Sequence, residues 1–217
     1  MEGVTKFLIN LAAFSDLVPL LFLLFQKNWN SNRVLLVLFC NLSASFLVDF
    51  LCYFATAESP NLCLVNYFSI VEFMGITSMF YFMWGKRRFL KGLFIINFAF
   101  IVTFILIAAS SGNMSITSNY ITTIEAVSIV IISIIYFFEI MKDLTIVHLH
   151  DDYRFWLNAG ILLYFSTVLI IFLFTSQILN PHASPVIKKL WLLHDIFLIL
   201  FNLLLTKAIY QWRKTKT

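Results

Sequence analysis

The stretch LWLLHDIFLILFNLLL, from Leu190 to Leu205, is apolar enough for a lipid-facing helix, yet it contains His194, Asp195 and Asn202. Such polar side chains are costly in hydrocarbon and rarely face lipid. At about 100° per residue, His194, Asp195 and Asn202 fall on one face of a helix. The stretch therefore predicts a membrane-spanning helix whose polar face is turned towards other helices.

The composition of the whole chain agrees with this interpretation. Apolar residues make up 61% of the 217 residues and charged residues only 12%, whereas a soluble domain has about a quarter charged residues. A helix needs about 20 apolar residues to cross a bilayer, and seven segments meet that requirement. We predict an all-α membrane protein, a single seven-helix bundle over residues 1–217, with helices at about 7–25, 34–54, 62–84, 89–110, 120–141, 155–176 and 186–212.

The orientation follows from the distribution of lysine and arginine. With the helices threaded alternately, eleven of these residues lie on one side of the membrane and three on the other. The richer side faces the cytoplasm, so we predict an outside N-terminus and a cytoplasmic C-terminus. Lys207, near the inner end of the last helix, is expected to extend to the same surface. We expect the first apolar segment to be a retained helix, and Pro19 to kink it.

Other features of the sequence narrow the classes of function. The chain has no basic patch interleaved with surface aromatic residues, so we expect no nucleic-acid partner. The three cysteines, Cys40, Cys52 and Cys63, form no CxxC pair. Cys52 and Cys63 flank one short outer loop, and either a disulfide or two free apolar cysteines would fit there.

Acidic and imidazole side chains recur at one depth of the predicted bundle. Six such residues lie between the middle of the membrane and its outer surface: Asp16, Asp49, Glu72, Glu125, His194 and Asp195. The fifth and sixth predicted helices also carry polar stripes, on the faces of Glu125 and Asn158. We therefore expect a polar cavity in the outer half of the membrane, contacted by Glu72, Glu125 and His194. Asn158 and Asn202 fit either ligand contacts or hydrogen bonds between helices.

Several kinds of chemistry could use this set of residues. Glu72, Glu125 and His194 are sensible metal ligands, but a single intramembrane histidine does not match the seven-helix zinc hydrolases that use several. A retinal protein is not favoured, because Lys207 lies far around the helix from the polar stripe. A carrier would be expected to show repeated halves and more broken helices. No cofactor is predicted; a metal ion at Glu72, Glu125 and His194 is the alternative.

Three stretches together resemble a known group of proteins: YFSIVEFMGITSMFYF, FWLNAGILLYFS and LWLLHDIFLILFNLLL. They are similar to small seven-helix membrane proteins of Bacteroidetes-type bacteria, often encoded beside sensor histidine kinases. The resemblance covers about half of the chain and implies a membrane-sensing role in the bacterial inner membrane, without implying an activity. Its motif residues are Glu72, Glu125, Phe155, Trp156, Asn158, Gly160, Tyr164, Trp191, His194 and Asn202.

These observations lead to one leading hypothesis and two alternatives. The first is a receptor-like sensor that binds a small or amphipathic ligand, or protons, in the outer cavity and relays to a cytoplasmic partner such as a histidine kinase. The alternatives are a membrane-embedded enzyme acting on a lipid-like substrate through Glu72, Glu125 and His194, and a proton-coupled carrier. The candidate ligand-binding residues are Glu72, Glu125, His194, Asn158, Asn202, Trp191, Tyr164, Asp49 and Asp16.

Overall fold

The regular elements of the described chain are all helical. The computed structural model describes the backbone of residues 2–54, 62–85, 87–111, 114–142, 149–173 and 190–215, and the side chains of residues 7–51, 67–85, 91–110, 120–142, 149–173 and 192–215. The α-helices are α1 (Glu2–Ser15), α2 (Leu17–Leu24), α3 (Arg33–Phe54), α4 (Leu62–Trp84), α5 (Arg87–Ser111), α6 (Met114–Lys142), α7 (Tyr153–Leu173) and α8 (Leu190–Lys214). The all-α prediction is confirmed for this part of the chain.

Six described segments are long and apolar enough to cross a membrane. They are Phe7–Leu24, Arg33–Leu51, Lys91–Ser110, Tyr120–Lys142, Tyr153–Leu173 and Leu192–Lys214. The third predicted helix is present as the 23-residue helix α4, but it is not among these six. Ser69, Glu72 and Thr77 lie on α4 and lower its apolar character. The chain thus has the helices of an integral membrane protein, while a seventh span is not established.

The predicted helix bounds agree closely with the structure where both are described. The second and third predicted helices differ from α3 and α4 by at most one residue at either end. The largest difference is at α6, which begins at Met114 and not near residue 120. Residues 174–176 and 186–189, predicted as helix, lie outside the described residues, as do the side chains of Cys52 and Cys63.

Short polar residues begin two of the helices. The Asn32 side chain accepts a hydrogen bond from the backbone N–H of Val34 at 2.9 Å, which satisfies one of the free donors at the start of α3. Asp152 does the same for Arg154 at the start of α7, at 2.8 Å. Asp152 also accepts hydrogen bonds from the Arg154 guanidinium, the shortest at 2.6 Å. Asp152, the last residue of the sequence HLHDD at residues 148–152, therefore stabilises a helix start.

The first span is broken, and proline chemistry explains where. Pro19 has no N–H, so it cannot bond to the carbonyl of Ser15 four residues earlier. Ser15 is the last residue of α1, and α2 begins at Leu17. The kink expected from Pro19 is therefore present as a break at Asp16, about one turn before the proline.

The surface of α5 is apolar to a degree that a soluble protein would not tolerate. Phe94 is 74% exposed, and Phe98 and Leu106 are each 64% exposed. Large exposed apolar patches normally mark a surface that another apolar phase covers. Lipid is the natural phase around this helix, since α5 also contains the membrane span Lys91–Ser110.

The contacts of the chain divide it into two compact units. Unit 1 contains Met1–Phe22 and Ala126–Thr217, and unit 2 contains Leu23–Glu125. In unit 1, α8 packs against α7 and α1; in unit 2, α4 packs against α3 and α5. The organisation as one seven-helix bundle over residues 1–217 stays a prediction.

Candidate functional site

Unit 2 brings two of the predicted acidic residues together. The Glu125 side chain on α6 lies close enough to Glu72 on α4 for the two carboxyl groups to interact electrostatically. Ser69 also interacts with Glu125, through a side-chain hydrogen bond. Ser69 and Glu72 are three residues apart, so they share one face of α4. This face of α4 supplies one hydroxyl and one carboxyl group to the same neighbour.

Burial differs sharply between the two members of this carboxyl pair. Glu125 is only 1% exposed, whereas Glu72 is half-buried. Among the described residues, no hydrogen-bond partner reaches Glu125 Oε1. A buried polar atom in this state is unusual and calls for an explanation such as water, an ion or a ligand. The carboxyl pair is therefore the strongest candidate for a binding site in unit 2.

Asp49, the other acidic candidate of unit 2, is a half-buried residue on α3. It takes part in an interaction of its own. Its predicted place in a ligand site stays a prediction.

Unit 1 assembles His194 and Tyr164 across the α7–α8 interface. The Tyr164 hydroxyl group and His194 Nε2 are hydrogen-bonded at 3.3 Å. The Tyr164 ring stacks on Phe201 of α8, with centroids 4.9 Å apart and planes 14° apart. On the other side of the imidazole, Asp195 Oδ1 lies 3.6 Å from Nδ1. The imidazole therefore has an oxygen neighbour on each of its nitrogens.

Asn158 and Gly160 hold the helices of unit 1 together. Asn158 is fully buried, and its side-chain amide donates to the Ser133 carbonyl oxygen of α6 at 3.0 Å. A Cβ atom at Gly160 would lie 3.2 Å from Leu204 Cβ and 3.3 Å from the Phe201 ring. Small residues of this kind allow close approach of membrane helices. Both positions thus have a structural role that accounts for their type.

Asp16 and Asn202 meet at the break between α1 and α2. Asn202 Nδ2 donates to Asp16 Oδ1 at 2.6 Å and to Ser15 Oγ at 2.7 Å. Asp16 and Asn202 are each 1% exposed, and Ser15 is 6% exposed. The last helix therefore supplies an amide to the first span at the point where its backbone is interrupted.

The remaining predicted residues occupy other environments. The ammonium group of Lys207 lies 5.6 Å from the centre of the Trp156 ring and 5.4 Å from that of Tyr210, which is cation–π distance. The Trp156 indole donates to the His150 carbonyl oxygen at 2.7 Å. The side chain of Trp191 lies outside the described residues.

The candidates therefore fall into sets within separate units. Glu72 and Glu125 meet in unit 2, while in unit 1 His194 contacts Tyr164, and Asp16 contacts Asn202. The predicted cavity that joins Glu72, Glu125 and His194 combines residues of both units and stays a prediction. Within the described ranges, no group of three or more His, Cys, Asp or Glu side chains is arranged to hold a metal ion.

Three contributing residues were missing from the sequence prediction. Ser69 contacts Glu125, Ser15 contacts Asn202, and Phe201 stacks on Tyr164. The position of Ser69, one turn before Glu72, was a usable signal. Ser15 could have been found as the residue whose carbonyl oxygen lacks a helical N–H donor, because Pro19 lies four residues later. The Phe201 stack depends on how α7 and α8 pack.

Comparison of the chain with protein families, curated proteins and solved structures finds no match. The resemblance to seven-helix proteins of Bacteroidetes-type bacteria therefore stays a prediction. What can be said of function depends on the geometry of the two units.

Proposed function

We propose that this protein is a receptor-like membrane sensor whose carboxyl pair, Glu72 and Glu125, binds the positively charged group of a small amphipathic ligand. The observation that carries the proposal is the fully buried Glu125 carboxyl group beside Glu72. The proposal includes the finer topology as well: seven spans with α4 among them, an outside N-terminus and a cytoplasmic C-terminus.

Charge supports a cationic ligand. An ionised carboxylate costs about 2.5–3.5 kcal/mol at the centre of a membrane helix on insertion scales. Two adjacent carboxylates also repel each other, so one added positive charge favours the pair. An ammonium group would supply that charge, and so would a proton. The Ser69 hydroxyl adds a neutral polar group to the same place.

The apolar surroundings support an amphipathic ligand. Phe73, adjacent to Glu72 on α4, is fully buried and stacks on Phe100 of α5 with centroids 4.1 Å apart. Val71 precedes Glu72 and Met74 follows Phe73 in the sequence, and both side chains are exposed on α4. A ligand with an ammonium group and a hydrocarbon tail would satisfy the carboxyl pair and remain in contact with lipid.

The binding test compares two probes with the same decyl chain, of which only one carries a positively charged head group. Decylamine is added to the detergent-solubilised full chain, and decanol is added at the same concentration. We expect decylamine to raise the melting temperature by about 4 °C at ten times its Kd, and decanol to leave it unchanged. Glu125→Gln and Glu72→Gln should each remove the response to decylamine.

Glu139→Gln is the matched control, because it removes another carboxyl group from α6 that lies outside the pair. Its response to decylamine should equal that of the wild type. Equal responses to decylamine and decanol, or full retention of the response in Glu125→Gln, would contradict the proposed site.

Relay to a partner requires that binding changes the cytoplasmic face. We propose that the basic loop GKRRFLKG, the HLHDD loop and the C-terminal RKTKT contact a partner such as a histidine kinase in the bacterial inner membrane. A Thr215→Cys substitution in a background that carries Cys40→Ser, Cys52→Ser and Cys63→Ser reports on the end of α8. Its labelling rate should change with decylamine in the wild-type site and stay constant in Glu125→Gln.

Topology has its own test. A green fluorescent protein fused to the C-terminus should fluoresce, and alkaline phosphatase fused there should be inactive, since only the outer compartment activates it. The reverse pattern would contradict the proposed orientation without affecting the carboxyl pair.

A proton-coupled carrier is the second candidate, favoured by the break at Asp16. Discontinuous helices are typical of secondary transporters. It predicts that a pH gradient drives uptake of decyltrimethylammonium, whose permanent charge opposes passive diffusion, into liposomes containing the protein, and that Glu72→Gln abolishes that uptake. Binding without transport would leave the sensor as the better description.

A further inference from the structure

The break in the first span leaves a polar backbone group without its helical hydrogen bond, next to buried side chains. Pro19 deprives the Ser15 carbonyl oxygen of its regular helical partner, and α1 ends at that residue. In a membrane, backbone groups released in this way need a new partner, from a neighbouring helix, water or an ion. The side chains around the break indicate which partner it binds.

Oxygen atoms converge at the break. Asp16 Oδ1 and Ser15 Oγ lie 2.6 Å and 2.7 Å from the same Asn202 nitrogen. The Ser15 hydroxyl donates its own hydrogen to the Ala12 carbonyl oxygen at 2.7 Å. A lone pair of Ser15 Oγ is therefore directed at the position of the amide group, and so is the Asp16 carboxylate.

Asn202 carries a second observation, independent of the break. Its other amide atom, Oδ1, is buried and has no hydrogen-bond partner among the described residues. A buried unsatisfied acceptor typically costs about 1–3 kcal/mol. Rotation of the amide by half a turn would exchange Nδ2 for Oδ1, so that three side-chain oxygens from Ser15, Asp16 and Asn202 would face one point.

The charge of this oxygen set selects the kind of ion. Asp16 is the one formally charged side chain of the three, so a monovalent cation makes the site neutral. Hard cations prefer carboxylate, carbonyl and hydroxyl oxygens. Softer transition metals prefer nitrogen and sulfur ligands, which Ser15, Asp16 and Asn202 would not present once the amide has turned.

We propose that Ser15, Asp16 and Asn202 bind a sodium ion at the break of the first span, with the Ser15 carbonyl oxygen as a further ligand. In the ion-free state, the Asn202 amide nitrogen takes the place of the cation and donates to the same two oxygens. Broken helices of membrane proteins use released carbonyls and helix C-terminal ends for sodium in this way. The site lies wholly in unit 1 and does not depend on the carboxyl pair.

The test measures sodium binding and its effect on stability in the full detergent-solubilised chain. Melting temperatures are compared in sodium chloride, potassium chloride and N-methylglucamine chloride at one ionic strength, so that screening is constant. At ten times its Kd, sodium should raise the melting temperature by about 4 °C over N-methylglucamine. Radioactive sodium should bind at about one equivalent.

Variants separate an ion site from a purely structural contact. Asp16→Asn should abolish both the stability increment and sodium binding. Ser15→Ala removes one neutral ligand, is expected to fold, and should weaken sodium binding about tenfold. The control is Asn158→Ala, which removes another buried interhelical amide; it should lower the melting temperature but keep the full sodium increment.

Three results would overturn the proposal. The first is the absence of sodium binding by the wild type. The second is a sodium increment that Asp16→Asn or Ser15→Ala leaves intact. The third is a melting temperature that responds to pH and not to sodium, which would assign a proton to Asp16 in place of the ion.

Discussion

The buried polar groups of the two units differ in the kind of partner that they meet. In unit 1, Asn158 bonds to a backbone carbonyl, Tyr164 bonds to His194, and Asn202 bridges Ser15 and Asp16. In unit 2, the Glu72 and Glu125 carboxyl groups lie close enough to interact electrostatically, and the Ser69 hydroxyl is hydrogen-bonded to Glu125. Similar polar residues on apolar helices therefore meet amide, hydroxyl and ring partners in unit 1 and a second carboxyl group in unit 2.

Removing a polar group is expected to change the free energy of unfolding in opposite directions in the two units. Removing a polar group from unit 1 should destabilise the protein, because a donor or acceptor loses its partner. Removing one carboxyl group from the pair in unit 2 should relieve repulsion and desolvation, as substitutions at binding sites often do. Three polar substitutions test this difference, and one substitution at Gly160 tests the packing of unit 1, through melting temperature and denaturant unfolding in detergent.

The largest effect is expected from Gly160→Leu, in the α7–α8 interface of unit 1. The Cβ position already lies 3.2 Å from Leu204 Cβ, so a larger side chain must separate the two helices. We expect a loss of about 3 kcal/mol in the free energy of unfolding. Gly92→Leu on α5 is the control, because nothing lies within 4 Å of its Cβ position; similar losses in both would contradict the close packing of α7 and α8.

Asn202→Ala should have the next largest effect. It leaves the buried Asp16 carboxylate without the amide donor at 2.6 Å, and we expect a loss of about 2 kcal/mol. Unfolding in denaturant measures the loss in sodium-free buffer. A neutral result would mean that the amide contributes nothing at the break in the first span.

Glu125→Gln should change stability in the other direction. Glutamine keeps the shape and an acceptor oxygen for the Ser69 hydroxyl but removes the ionisable group beside Glu72, so we expect a gain of about 1 kcal/mol. The melting temperature of the ligand-free protein measures it. A loss comparable to that of Asn202→Ala would show that the pair is a structural contact like those of unit 1.

Tyr164→Phe should have the smallest effect. It removes one hydrogen bond to His194 and keeps the ring that stacks on Phe201. Hydrogen bonds between membrane helices contribute about 0.6 kcal/mol on average, and we expect a loss of that size by denaturant unfolding. A loss of several times that amount would mean that the hydroxyl group is part of a larger buried network.

The helices could be predicted from the sequence because apolar length is a local property. The bounds of α3 and α4 were found within one residue, and the break at Asp16 follows from Pro19. The start of α6 at Met114 was missed, because residues 114–119, MSITSN, look like a polar loop. A helix can extend beyond its apolar segment, because water can satisfy the polar groups of its first turns.

The candidate site could be predicted only in part. Helical periodicity placed Glu125 and Asn158 on inward faces, and both are buried. Their partners could not be predicted, because periodicity defines a face and not the residue opposite it. The Ser133 carbonyl oxygen that Asn158 meets has no signal in the spacing of residues along the chain. Spacing places Ser69 on the face of Glu72, but it does not show that this face meets Glu125.

The length of α6 has a consequence for the host bilayer. Its apolar segment, Tyr120–Lys142, has 23 residues and is about 35 Å long at 1.5 Å per residue. A hydrocarbon layer of about 30 Å is thinner than this, so the helix must tilt or the surrounding lipid must thicken. Acyl-chain length should therefore influence this protein's stability, with longer-chain phospholipids relieving the mismatch along α6.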